Sequence, residues 1–131
     1  MRAGWYGDFW NEAETMKTAD RIFAWIVLLL GCVHCAVTFV VHKALTVEAI
    51  WFVSGGLVLI FGALLNLVRI ARPGDRLLAR ASALANVLLF ALFVIAVPWL
   101  LRHALKQNPQ IIVAAIAIAA ELGFSLRQCF R

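Results

Sequence analysis

Apolar residues run along this chain in four long blocks, separated by short polar breaks. Between ionised side chains the blocks cover residues 22–42, 49–68, 81–101 and 107–126, the last interrupted by Glu121 alone. A helix needs about 20 apolar residues to cross a hydrocarbon core about 30 Å thick. Three blocks match that length and the fourth nearly does. The pattern predicts an all-α fold, an integral-membrane four-helix antiparallel bundle. Its spans are expected at about 22–42, 49–68, 78–101 and 110–126, in a single transmembrane domain over 1–131.

The breaks support this division. Residues 42–48 form a tight turn, and Arg72-Pro73-Gly74-Asp75 combines the two residues that best end a helix. Pro98 is expected to bend the third helix or end it early, and residues 106–109 make the last turn. Connections this short join antiparallel neighbours. No internal repeat is visible, so an inverted-repeat transporter is not indicated.

Residues 1–21 form the longest piece outside the spans, which leaves no room for a soluble catalytic domain. Asp8, Glu12, Glu14 and Asp20 make this piece mildly acidic, unlike a secretory leader. Trp5, Tyr6, Phe9, Trp10 and Met16 give it apolar surface, and Asp8 suits a cap for a helix from Phe9 onward. The expectation is an amphipathic segment lying on the interface. Leu29-Leu30-Gly31-Cys32 looks like a lipoprotein cleavage box, but the apolar run continues to Val41, so the span reads as uncleaved.

Composition agrees: 64% of residues are hydrophobic, against about 45–50% in soluble domains. The net charge of +5 is distributed unevenly. Arg2, Lys17, Arg21, Arg69, Arg72, Arg76, Arg80, Arg127 and Arg131 fall on one side of the predicted bundle. Lys43, Arg102 and Lys106 fall on the other. By the positive-inside rule both termini and the Arg-rich loop are expected in the cytoplasm, in the inner (cell) membrane, as a multi-pass protein. Arg69, Arg72, Arg76 and Arg80 are then topology determinants that contact anionic lipid. No aromatic and basic platform for nucleic acid is present. Trp25, Trp51 and Trp99 fall at interfacial depths.

Small residues suggest packing faces. Ala115, Ala119 and Gly123 form a small-xxx-small stripe in the fourth span. Ser54, Gly55, Gly56, Gly62 and Ala63 thin the second, and Ala81 and Ala85 the third. Four short spans enclose little volume, so the expected partners are the lipid bilayer and either further copies of the chain or a larger membrane complex.

Candidate chemistry centres on Glu121, since an ionisable group inside a span is a functional candidate. It lies about 160° around its helix from the Ala115/Ala119/Gly123 stripe. The expectation is that the stripe docks while Glu121 points elsewhere, beside Ala114 and Ala117. It reads either as a proton- or cation-coupling carboxylate or as a neutral, hydrogen-bonded acid. Asn86 is its expected partner, and Asn66 lies deeper toward the Arg-rich side. Asn side chains in spans often act as interhelical glue.

Cys32-Val33-His34-Cys35 in the first span is the most chemical string. The cysteines share one face at about 60°, while His34 points away from both, so the three cannot meet one metal from a regular helix. Thioredoxin-like redox chemistry needs an exposed helix start, and haem attachment needs His directly after the second cysteine. Haem ligation by His34 would need a second buried His. No cofactor is expected, with haem or a soft metal as the alternative. At this string the chain resembles the MerC type of mercuric-ion membrane protein, which also has about four spans, a Cys-x-x-Cys in the first, and further cysteines near its C-terminus. That resemblance covers only the motif and the span count. It implies a soft-metal relay through Cys32 and Cys35 with Cys129 as terminal thiol; a single tail cysteine departs from the pattern.

No nucleophile–base pair, phosphate loop or carboxylate pair is visible, and enzyme activity is not expected. The function expected is an accessory or binding subunit, or a homo-oligomer, with a buried polar pocket of Glu121, Asn86, Cys32 and His34. The alternatives are a minimal proton-coupled transporter of a small cation or metal using Glu121, and thiol chemistry at Cys32 and Cys35.

Overall fold

The computed structural model describes the backbone over residues 4–104 and 110–130, and side chains over 14–95 and 111–130. The described chain is all α-helix. α1 spans Gly4–Val41, α2 Val47–Ala71, α3 Arg76–Ala104 and α4 Gln110–Cys129. Each contains a stretch long and apolar enough to cross a membrane, and the chain reads as a membrane protein with a four-helix bundle.

Local chemistry sets the helix ends. Thr46 caps α2, its hydroxyl accepting from the Ala49 amide at 3.2 Å. α2 stops at Ala71, where the next amide, on Arg72, still donates to Val68 and Arg69. Pro73 cannot continue the helix. Asp75 then starts α3, its carboxylate accepting from the Leu78 amide at 3.0 Å. α3 continues through Pro98 to Ala104. A proline near the end of a helix forfeits one backbone bond without ending it. The turn expected at 106–109, and the side chains of Asp8 and Trp99, lie outside the described residues.

The helices form a ring in which α1 packs on α2 and α4, and α3 packs on α4 and α2. Val27, Ala63 and Ala117 meet at its centre, flanked by Phe23, Ile26 and Leu59. The α1–α2 contact is the closest. A Cβ added to Gly56 would lie 2.5 Å from Cys35 Sγ and 2.9 Å from the Gly31 carbonyl oxygen. Only glycine lets two backbones approach so closely, the small-residue packing seen between membrane helices. Between α2 and α3 an apolar groove of about 350 Å³ stays open, lined by Phe61, Gly62, Leu65, Ala85 and Leu89 among others. Trp25 and Trp51 face outward, as a belt requires.

Two expectations need correction. Residues 4–21 are not set apart from the first span: α1 is one unbroken helix from Gly4, and Asp20 turns into the bundle, 8% exposed. The docking face of α4 is also the reverse of that expected. Ala114, Ala117, Ile118, Glu121 and Ser125 are buried, whereas Ala119 is exposed and nothing lies within 4 Å of a Cβ built on Gly123. Polarity decided the rotation. Turning Glu121 inward places it beside polar partners, and turning it outward would leave a carboxylic acid in lipid.

Candidate functional site

Asp20, Arg69 and Glu121 come from three different helices and meet in the interior. Arg69 lies in the last turn of α2 and is 1% exposed. It was expected as a surface determinant of topology; instead it reaches inward, because a buried acid on α1 awaits it. Its Nη1 and Nη2 donate to the two Asp20 carboxylate oxygens at 3.0 and 2.6 Å, a bidentate pair. Nη1 also donates to Gln128 Oε1 at 2.6 Å, and Nε to Ser82 Oγ at 3.1 Å. A guanidinium carries five N–H donors, and these four contacts leave the direction toward Glu121. Arg69 Nη2 stands 3.5 Å from Glu121 Oε2. That distance is an ion pair but too long for a good hydrogen bond.

Glu121 is 1% exposed, and neither carboxylate oxygen has a hydrogen-bond donor among the described residues. Asp20 faces the same guanidinium from α1. α3 presents only uncharged groups here, Ser82 and Asn86. One guanidinium therefore stands against two carboxylates. A buried charge needs a partner, and the two carboxylates share this one guanidinium.

A layer of amides and hydroxyls lies against this triad. Asn66 and Asn86 each donate from Nδ2 to the other's Oδ1, at 3.1 and 2.9 Å. Ser82 Oγ donates to Asn66 Oδ1 as well. Asn86 Nδ2 also approaches Ser125 Oγ at 3.1 Å and the Glu121 carbonyl oxygen at 3.4 Å. Ser125 in turn donates to the Leu122 carbonyl. The network touches every helix. Asn86 is thus a neighbour of Glu121 through its backbone, with Asn66 as its own direct partner.

Asp20, Ser82, Ser125 and Gln128 were not foreseen as site residues, though spacing held a signal. Asn66/Arg69, Ser82/Asn86 and Glu121/Ser125/Gln128 recur at three or four residues, the repeat of one helix face.

The other candidates lie elsewhere. His34 stacks on Phe52 in the α1–α2 contact, ring centroids 3.8 Å apart. Cys35 Sγ contacts the Val53 carbonyl oxygen at 3.7 Å, while Cys32 is exposed on the outer surface. Glu121 and Asn86 therefore share a site that Cys32 and His34 do not enter. Among the described residues no three His, Cys, Asp or Glu side chains are grouped to hold a metal ion.

Two members of the triad line a cleft of about 400 Å³ beside the α2–α3 turn, which Glu121 does not line. Asp20 and Arg69 form its floor, and Glu121 lies behind them. Comparison of the chain with protein-family models, with curated proteins and with solved structures gives no match.

Proposed function

We propose that this is a small membrane-embedded binding protein that holds a proton or a small cation at Glu121, and that it works as an accessory subunit or a homo-oligomer. The observation that carries this reading is the charge imbalance of the buried centre. A purely structural ion pair would be complete with Asp20 and Arg69. Glu121 adds a second carboxylate whose oxygens accept no hydrogen bond among the described residues, and buried polar groups without partners are rare outside functional positions. The cleft supplies a route to the floor of this centre. The positive-inside distribution of charge supports a cytoplasmic opening for it.

The same centre would serve a proton-coupled carrier if the bundle opened alternately to both sides. The shared first step is exchange at Glu121. Infrared difference spectra of the protein in lipid, taken across the neutral pH range, test that step. The expected result is a protonated-carboxyl band that titrates, weakens on adding sodium, potassium or a divalent cation, and vanishes in Glu121→Gln. A band that neither titrates nor responds to any cation would leave the cluster a scaffold.

A further inference from the structure

We infer that the mouth of the cleft is a binding site for a phosphate group, supplied by the headgroup of an anionic phospholipid. Four basic residues line the cleft, Lys17, Arg69, Arg76 and Arg127, against two acids, Asp20 and Asp75. Both acids are already engaged, Asp20 by Arg69 and Asp75 in capping α3. Arg69 is likewise committed to the floor. The two rim arginines carry no acidic partner among the described residues. Among the described residues Arg76 makes no ion pair, and the Arg127 side chain meets only the Met16 sulfur, a weak acceptor. Lys17 pairs with Glu14 at 3.2 Å, but both side chains are well exposed, and such a pair holds weakly.

Two arginines from different helices therefore face one opening with their charge unmatched. An arginine fork fits phosphate oxygens in bidentate fashion. Met16, Ile70 and Phe124 add apolar wall beside them, which suits the glycerol and first methylenes of a lipid better than a free anion. The cleft opens where α2 and α4 end and α3 begins, beside the middle of α1, and headgroup phosphates lie just beyond the ends of membrane-spanning stretches. The site is separate from Glu121, and the inference stands whether or not Glu121 exchanges a proton.

Native mass spectrometry of the protein in mild detergent, titrated with phosphatidylglycerol, phosphatidylcholine or inorganic phosphate, tests it. Phosphatidylglycerol should bind and phosphatidylcholine should not. Arg76→Gln with Arg127→Gln should weaken phosphatidylglycerol binding about tenfold or more. Arg72→Gln with Arg80→Gln, exposed residues outside the cleft, should leave it nearly unchanged. Circular dichroism confirms that both variants remain folded. Inorganic phosphate binding with the same arginine dependence, and no lipid binding, would retain the phosphate site and overturn its lipid source. Loss that is equal in the two variant pairs, or no binding of any probe, would overturn the site itself.

Discussion

Arg69→Met should be among the most damaging single changes in the chain. The substitution roughly keeps side-chain volume while removing four hydrogen bonds and the cation that, among the described residues, pairs with both Asp20 and Glu121. The losses are unequal. Ser82 keeps Asn66 as a partner, and Gln128 keeps its bond to the Pro73 carbonyl at 3.2 Å. Asp20 loses both bonds of the bidentate pair. Breaking a buried pair by removing one partner costs ~3–5 kcal/mol. A neutral interhelical hydrogen bond in a membrane averages only ~0.6 kcal/mol. The stranded carboxylates, rather than the lost contacts, should therefore dominate. The assay is unfolding by graded addition of sodium dodecyl sulfate to mixed micelles, followed by far-ultraviolet circular dichroism. If the reasoning holds, Arg69→Met loses ~3 kcal/mol or more, and Arg69→Met with Asp20→Leu and Glu121→Gln recovers much of that loss, since no unpaired charge remains. A loss under ~1 kcal/mol, within the range of one neutral membrane hydrogen bond, would refute it. So would a triple variant no more stable than the single one.

Other changes test the packing. Gly56→Ala should part α1 from α2 and destabilise by ~1–3 kcal/mol, as overpacking does, measurable in the same titration; Gly123→Ala, which meets nothing within 4 Å, should be neutral or stabilise by up to ~1 kcal/mol. Asn86→Leu should cost ~1–3 kcal/mol, more than an isolated amide bond, because it leaves Asn66 with its own buried amide donor unsatisfied. A membrane-permeant maleimide should label Cys32 well before Cys35, which is held against α2; equal rates by mass spectrometry would contradict that placement of Cys35.

The number and kind of helices were legible because span length and turn chemistry are local properties. Thr46, Pro73 and Asp75 end or begin helices through their immediate neighbours. Helix rotation was not local. On a helix that is apolar nearly all round, hydrophobic periodicity barely distinguishes one face from another, so the Ala115/Ala119/Gly123 stripe was as plausible a docking face as the one that packs. Glu121, Asn86 and Asn66 stood out as polar residues within apolar blocks. Asp20 and Arg69 did not, because each sits where a block ends and a charge needs no explanation. Their pairing depends on α1 beginning well before residue 22 and α2 extending beyond residue 68, and hydropathy alone places those boundaries at Arg21, next to Asp20, and at Arg69 itself.

The Asp20–Arg69 pair also bears on the order in which the chain can enter a membrane. The first two helices emerge first, and together they carry a matched acid and base at one depth. As a hairpin they present the lipid with a neutral pair, so the first half of the protein can settle before the second is made. α4 follows the hairpin in the chain, bringing Glu121 to a cation that Asp20 already holds. Docking of α4 is thus the step that sets a second carboxylate against the shared cation.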